Sequence, residues 1–246
     1  MNYSIKVKDL SFSYKKKNIF NNITFAIPEN KITFIIGANG CGKTTLLKLM
    51  SKILSDYTGK ILINSRDIKS FSKKEFAKTV SFLFSEYTFI YPIKVIDFLL
   101  MALYPYKKNF ETFTDKDYEY IKDISKFTGI LKFLNTPITN LSSGEKQIVY
   151  LTHILIQNTP IILLDEPLSH LDLKHKIIIS NILKKLRNKS IVIVSHDTDY
   201  ISRLADYTIL LKDRNIFKTG HPSKILTKKN KRILFDIYED NYSKFI

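Results

Sequence analysis

The chain has 246 residues, 44% of them hydrophobic and 25% charged, which is enough to build a globular fold with a sizeable core. Its 39 basic and 23 acidic residues give a formal net charge of +16, which a polyanionic neighbour would complement. No apolar run is long enough to cross a bilayer, the N-terminus lacks a signal-peptide pattern, and the single cysteine, Cys41, excludes an internal disulfide. We therefore expect a soluble, cytoplasmic protein.

The excess positive charge has two interpretations. Nucleic acid, an anionic membrane leaflet or a phosphorylated ligand would each complement it. The simpler interpretation is a solvated, lysine-rich surface, because the basic runs Lys15–Lys17 and Thr227–Arg232 resemble exposed turns between elements. No sequence signature of a DNA- or RNA-binding module accompanies these runs, so we expect no nucleic-acid partner.

Short apolar runs alternate with amphipathic segments along the chain. Strands are predicted over residues 4–14, 18–27, 31–37, 59–64, 161–164, 190–195 and 207–211. A helix is predicted from Lys43 to about Ile53, and residues 85–158 have a helical pattern rich in Tyr, Phe and Lys. Two further helices, over residues 173–186 and 199–205, separate the last three strands. This alternation indicates an α/β fold with a parallel sheet covered on both faces and an inserted helical subdomain.

A glycine-rich stretch, GANGCGKTT, directly follows one predicted strand and precedes a predicted helix. Its spacing matches a Walker A loop, in which glycines let backbone amides curl around phosphate oxygens at a helix N-terminus. Lys43 would reach the β- and γ-phosphates, and the Thr44 hydroxyl would bind magnesium. Because three of the chain's 7 glycines lie here, a chance match is a poor explanation. The expected nucleotide contacts are Gly37, Asn39, Gly40, Cys41, Gly42, Lys43, Thr44 and Thr45.

Cys41 lies inside this loop and has two interpretations. It is either a small residue that fills space or a thiol activated by the helix N-terminus. We favour the space-filling role. In both cases alkylation of the thiol is predicted to block nucleotide binding, because the added group would occupy the loop.

Acidic residues follow a second apolar run, over residues 161–164, where Asp165 and Glu166 are adjacent. Such a run is typical of a buried parallel strand, and ligands bind at the carboxyl ends of these strands. Asp165 would hold magnesium through its oxygens, and Glu166 would polarise the attacking water. His196 ends the next apolar strand. A lone histidine there is usually structural, but beside a γ-phosphate it would donate a hydrogen bond.

A helix start is predicted where LSSGEKQ leads into an apolar run. Ser142 can accept hydrogen bonds from the first free amides, and Glu145 can bond back to the amide of Ser142, which together form a capping box. A capped helix end also attracts anions. The residues alone therefore leave open whether this is only a helix cap or half of a nucleotide site.

Taken in order, these motifs resemble the ATPase subunit of an ATP-binding cassette (ABC) transporter over nearly the whole chain. The resemblance implies a P-loop NTPase of the ABC ATPase type, with an antiparallel β subdomain and an inserted helical subdomain. Ser142 and Gly144 would then face the γ-phosphate bound by a second copy, so that two copies enclose two ATP molecules. Tyr14 occupies the family's position for an aromatic ring that stacks on adenine. ATP and Mg²⁺ are the implied cofactors.

The resemblance also implies an organisation and a task. The nucleotide-binding core would comprise residues 1–84 and 159–246, and the helical subdomain with the signature motif would comprise residues 85–158. The stretches Pro167–Lys176 and Ala102–Tyr106 are similar to the subfamily that powers import of iron chelates, haem and cobalamin. The implied partners are a membrane permease and a substrate-binding protein, and the implied location is peripheral, on the inner face of the cell membrane.

Two positions depart from the family pattern. Ser85 stands where a glutamine usually contacts magnesium and responds to the membrane partner, and the chain's only glutamines are Gln147 and Gln157. Either Ser85 acts through a water, Glu86 substitutes, or coupling differs in this protein. Ser143 replaces the first glycine of the signature. Since the catalytic residues named above are all present, we expect ATP hydrolysis to be retained, and the two departures bear on coupling more than on hydrolysis.

Two other functions stay open at this point. The missing glutamine is compatible with a non-transport ABC ATPase, such as a scaffold subunit in iron–sulfur assembly. The positive charge is compatible with a nucleic-acid-associated ATPase. A single cassette and the lack of a long coiled coil disfavour that second alternative, and we favour transport.

Overall fold

The structure is a computed structural model that describes residues 2–15, 17–84, 91–196, 201 and 203–236. The chain forms two compact units: unit 1 contains residues 1–69 and 192–246, and unit 2 contains residues 70–191. Within the described ranges, no helix has both the length and the apolar character that a membrane span requires. The predicted division into residues 1–84 with 159–246 and residues 85–158 stays a prediction.

The chain alternates between strands and helices. The strands are β1 (Tyr3–Tyr14), β2 (Lys17–Pro28), β3 (Ile32–Ile36), β4 (Thr58–Ile63), β5 (Arg66–Asp67), β6 (Val80–Leu83), β7 (Ile161–Asp165), β8 (Ser190–Val194), β9 (Tyr207–Lys212) and β10 (Asn215–Gly220). The helices are α1 (Lys43–Met50), α2 (Lys73–Thr79), α3 (Val95–Met101), α4 (Asp115–Thr128), α5 (Ser143–Gln157), α6 (Leu173–Lys185), α7 (Pro222–Ile225) and α8 (Lys228–Phe235). Single 3₁₀ turns occupy Ile68–Ser70, Tyr104–Tyr106, Leu131–Phe133 and Ile138–Asn140.

An antiparallel sheet in unit 1 has the strand order β2-β1-β4-β5. Its register places Ile5 of β1 opposite Ile27 of β2 and Ile63 of β4, and all three side chains are fully buried. Alternation of apolar and polar residues along β1 explains why one face of this sheet lies in the core. The antiparallel β subdomain implied by the family resemblance is therefore confirmed.

Part of a second sheet lies in unit 1, where its strands follow the order β10-β9-β3-β8. β3 and β9 are parallel, with Ile35 opposite Ile209, and every residue of β3 is buried. A strand buried on both faces reads as a continuous apolar run, which is the pattern of residues 32–36. This sheet positions the site, since the glycine-rich loop leaves the carboxyl end of β3 and leads into α1.

Unit 2 combines a parallel strand pair with a helical core. β6 and β7 run parallel, with Phe82 opposite Leu163. α5 packs against α3, α4 and β6, and its buried face includes Val149 and Leu151. The Thr152 hydroxyl donates to the Thr128 hydroxyl over 2.9 Å, so a polar contact inside this core is satisfied. These helices confirm the predicted helical character of the described part of residues 85–158.

Two local predictions are wrong. α1 ends at Met50 and not near Ile53, because Lys52 adopts a left-handed φ of 61° and the Ile53 amide turns back to the carbonyl of Lys48 over 3.0 Å. The basic run Thr227–Arg232 is not an exposed turn but the start of α8, whose N-cap hydroxyl on Thr227 accepts from an amide in the first turn. The helix predicted over residues 199–205 lies mostly outside the described residues.

Candidate functional site

The loop between β3 and α1 is held in shape by close packing. A Cβ at Gly37 would lie 2.2 Å from the carbonyl oxygen of Leu211 and 2.6 Å from Sγ of Cys41. Gly42 is the N-cap of α1 with a φ of 106°, and a Cβ there would lie 2.7 Å from the Phe20 ring. Both glycines are thus required by packing within unit 1, whatever the loop binds.

Lys43 places a positive charge within this loop. Its side chain is buried, with 7% of its surface exposed, and Nζ donates to the carbonyl oxygens of Gly37 over 2.8 Å and Ala38 over 3.0 Å. An ammonium group enclosed by backbone oxygens has exchanged its water for fixed dipoles, so it is presented in a defined position. This position is compatible with the phosphate-binding role predicted for Lys43, which stays a prediction.

The remaining loop residues and Tyr14 also lie in unit 1. The structure leaves Asn39, Gly40 and Thr44 exposed and Thr45 half-buried. Tyr14, at the end of β1, is 42% exposed, and its ring stands edge-on to Phe12 with centroids 4.8 Å apart. An exposed aromatic ring on a packed strand offers a face for stacking.

The Cys41 thiol is not activated. It is buried, and burial raises its pKa above the ordinary value, although Lys43 and backbone amides act in the opposite direction. A raised pKa means less thiolate at neutral pH and slower reaction with electrophiles. This favours the space-filling role predicted for the residue.

Asp165 and Glu166 lie at the carboxyl end of β7 in unit 2. Asp165 is 1% exposed, so its carboxylate is held inside the protein. Glu166 has a φ of 49°, which is uncommon for a residue other than glycine and is often found at functional sites. The Ser169 hydroxyl donates to Oε2 of Glu166 over 2.7 Å, and the Ser169 amide donates to the Glu166 carbonyl over 3.1 Å. This turn fixes the direction of the Glu166 carboxylate.

The capping box predicted at the start of α5 is present. The Ser142 hydroxyl accepts from the Glu145 amide over 3.3 Å, and Oε2 of Glu145 accepts from the Ser142 amide over 2.9 Å. The Ser142 amide and, to a smaller extent, the Ser142 hydroxyl donate to the Glu145 carboxylate. These hydrogen bonds lower the pKa of the Glu145 carboxyl. Ser142 and Ser143 are exposed and Gly144 is buried, so the helix start presents two hydroxyl groups to solvent.

His196 is exposed and directly follows β8 through Ser195, in unit 1 with the glycine-rich loop. The structure thus groups Tyr14, the loop and His196 in unit 1, and groups Asp165, Glu166 and the signature residues in unit 2. Ser85 and Glu86, which bear on the missing glutamine, lie outside the described residues.

Two contacts of the site were not predicted from the sequence. Ser169 bonds to Glu166, and the His175 ring lies against Gly144. Only the first contact had a signal in the sequence, since Ser169 lies three residues after Glu166, whereas His175 and Gly144 are 31 positions apart. Side chains at that separation meet within one turn.

Comparisons with known proteins agree with the motifs. A family model described as ABC transporter matches residues 20–169. The petrobactin import ATP-binding protein FpuD of Bacillus anthracis is 32% identical, covering 96% of this chain and 87% of the relative. The iron(3+)-hydroxamate import ATP-binding protein FhuC of Bacillus subtilis is 32% identical, covering 95% of this chain and 88% of the relative. A solved metal-chelate type ABC transporter in an inward-facing conformation has a TM-score of 0.83 at 27% identity, covering 96% of this chain and 90% of that chain.

Proposed function

This chain belongs to the ABC transporter family, whose ATP-binding members hydrolyse ATP to drive transport, and we propose that it powers import of an iron chelate. Two relatives are import ATP-binding proteins for petrobactin and for iron(3+)-hydroxamate, and a similar structure is a metal-chelate type transporter. The stretches Pro167–Lys176 and Ala102–Tyr106 point to the same subfamily, in which haem and cobalamin are the other substrates. We therefore place the substrate among iron chelates, haem and cobalamin-type compounds.

The observation that carries the ATPase proposal is the shape of the loop between β3 and α1. Its two packed glycines and the enclosed Lys43 ammonium support binding of a triphosphate. In this proposal the loop residues and Lys43 hold the phosphates, and Tyr14 stacks on the adenine. Such a site acts mainly by positioning and by electrostatic stabilisation of the transferring phosphate.

The chemistry of the proposed metal ligands fits magnesium. The Thr44 hydroxyl and the Asp165 carboxylate supply the hard oxygen ligands that this ion prefers. Asp165 is almost fully buried at the end of β7, so its carboxylate is held in a fixed place there. When bound, magnesium would neutralise charge on the phosphates. Glu166 would then orient and polarise the attacking water, and His196 would donate to the γ-phosphate.

We further propose that two copies of the chain enclose two ATP molecules. Support comes from the start of α5, where exposed Ser142 and Ser143 precede a helix whose N-terminus attracts anions. The anion would belong to the second copy. The dimer would lie on the inner face of the cell membrane, against a permease that works with a substrate-binding protein. The +16 charge would favour an anionic leaflet.

A pull-down tests the proposal directly. The Glu166→Gln variant, loaded with ATP, is expected to bind nucleotide without hydrolysing it and to retain partners from detergent-solubilised membranes. Mass spectrometry should identify a permease with several membrane spans. The matched control is Lys43→Ala, which should bind no ATP and recover no permease. Recovery of soluble partners alone would contradict transport.

A non-transport ABC ATPase is the second candidate, and the lack of the family's glutamine at position 85 is the feature that favours it. Gln147 donates to the Pro167 carbonyl over 3.2 Å, and Gln157 donates to the Ala77 carbonyl over 2.7 Å. Both amides therefore have structural partners in unit 2. With Ser85 in the position that usually carries glutamine, a membrane partner would have to be sensed by another group. Capture of a scaffold complex in the same pull-down would support this candidate.

A further inference from the structure

The His175 imidazole lies against the first turn of α5. A Cβ built on Gly144 would lie 2.5 Å from both Cγ and Nδ1 of this ring and 2.7 Å from Cδ2. Side chains do not approach one another so closely, and Gly144 is buried at this contact. Gly144 therefore leaves room for the ring, and the ring in turn fixes how near α5 can come to α6.

Asp172 holds the ring in place. One carboxylate oxygen, Oδ1, lies 2.8 Å from Nδ1 of His175 and accepts from the His175 amide over 2.9 Å. The hydrogen bond from the His175 amide makes the largest contribution, followed by the bond from the His175 ring, and both lower the pKa of the Asp172 carboxyl. Because an ionised carboxylate only accepts hydrogen bonds, Nδ1 carries a proton. The orientation of the imidazole is thus set by the residue that caps α6.

The same segment leads back to Glu166. The Ser169 hydroxyl donates to the Glu166 carboxylate over 2.7 Å, three residues before the Asp172 cap. A second contact joins α5 to this segment, because the Gln147 side chain donates to the Pro167 carbonyl over 3.2 Å. The first turns of α5 therefore contact both ends of the segment 166–172. Gln147 bonds to Pro167 at one end, and Gly144 packs on the His175 ring that Asp172 holds at the other, all within unit 2.

We propose that His175 is a positioning residue that fixes the signature turn of α5 relative to the segment that carries Glu166. This inference rests on the function proposed above. In the two-copy arrangement Ser142 and Gly144 serve the nucleotide of the second copy, while Glu166 serves the nucleotide of its own copy. A rigid contact between these residues makes closure around one ATP dependent on the geometry at the other.

A positioning role differs measurably from nucleotide binding. His175 lies in unit 2, outside the glycine-rich loop, so the affinity of a single copy for ATP should not depend on it. Dimerisation should depend on it, because the signature turn would no longer be held. In steady-state hydrolysis His175→Ala should lower kcat by about tenfold and leave KM within about twofold.

The decisive comparison is made in the Glu166→Gln background, which prevents turnover. ATP affinity is measured with a fluorescent analogue, and ATP-dependent dimerisation is measured by analytical ultracentrifugation. We expect His175→Ala to weaken the dimer by about tenfold with unchanged nucleotide affinity. Lys174→Ala, an exposed change on the same turn of α6, is the matched control and should dimerise like its parent.

Two conservative variants separate the contacts. His175→Phe keeps a ring against Gly144 but its side chain cannot bond to Asp172, and His175→Asn keeps a side-chain donor for Asp172 without the ring. Each should weaken the dimer by less than His175→Ala. If the alanine variant does not fold, as judged by circular dichroism, the asparagine and phenylalanine variants give the same comparison.

Each outcome has a separate meaning. Full dimerisation of His175→Ala, or of both conservative variants where they replace it, would overturn the inference and leave the proposed function intact. A Glu166→Gln parent that stays monomeric with ATP would contradict the two-copy arrangement itself, and the inference with it. A lower ATP affinity of His175→Ala than of its Glu166→Gln parent would also overturn the inference. The ring would then act on the glycine-rich loop and not on α5.

Discussion

His153 gives the protein a specific sensitivity to acid. It is half-buried on α5 in unit 2 and stacks on Phe98 of α3, with ring centroids 4.5 Å apart and planes inclined by 22°. Desolvation by this burial lowers the pKa of His153 from 6.5 to about 4. The ring is therefore neutral in the folded protein at pH values where it is already protonated in the unfolded chain.

The sign and size of the effect follow from linkage. Between pH 6.5 and about 4 the unfolded chain binds the proton more readily, so the free energy of unfolding falls as the pH falls through this window. For these two pKa values the loss at pH 5 is about 2 kcal/mol relative to pH 8, and about 3 kcal/mol at pH 4. In a chain of this size, 2 kcal/mol corresponds to about 4–8 °C in Tm.

The test compares His153→Phe with the parent. Phenylalanine keeps the aromatic stack on Phe98 but does not titrate, so the variant should lose about 2 kcal/mol less than the parent between pH 8 and pH 5. Urea unfolding at both pH values, followed by circular dichroism, gives the four free energies. The exposed change His221→Asn is the matched control and should retain the parent's pH dependence. Equal pH dependence of parent and His153→Phe would refute the reasoning.

Three further results are expected. Gly37→Ala should lower Tm and ATP affinity together, because its Cβ would lie 2.2 Å from the Leu211 carbonyl and overpacking costs about 1–3 kcal/mol; retained affinity in a titration would contradict this. Cys41 should react with iodoacetamide more slowly than free cysteine, and complete labelling, verified by mass spectrometry, should abolish ATP binding. Ser169→Ala should lower kcat about tenfold without changing ATP affinity, because the Glu166 carboxylate loses a hydrogen bond worth about 1.5 kcal/mol; an unchanged kcat would speak against that bond.

Patterns that depend on neighbours in the chain were predictable from the sequence. The capping box of Ser142 and Glu145 is one example, because both partners lie within one helical turn. The buried run of β3 followed by the glycine-rich loop is another. In each case the interaction is local, so the spacing of residue types determines it.

Contacts between distant segments could not be predicted in this way. The His175 ring meets Gly144 across 31 positions of sequence, and Leu211 meets Gly37 across 174. Nothing in the local pattern of either partner indicates the other. The basic run Thr227–Arg232 shows that a local signal can also be overlooked. Its positive charge led to the prediction of an exposed turn, although the capping residue Thr227 indicated a helix.

Glycine is scarce in this chain, and its presence in the phosphate loop and in the signature motif has the same explanation in both places. Five of the 7 glycines have φ between 77° and 152°, where the backbone conformation itself favours glycine. Gly37 and Gly144 do not, yet a Cβ at either would collide with a neighbour, the Leu211 carbonyl or the His175 ring. These two glycines lie in the phosphate loop and in the signature, the two elements proposed to contact ATP. A chain that uses glycine so sparingly retains it there because both turns must pack closely on a second element. Substitution of Gly37 should therefore displace Leu211, and substitution of Gly144 should displace the His175 ring, even when no nucleotide is bound.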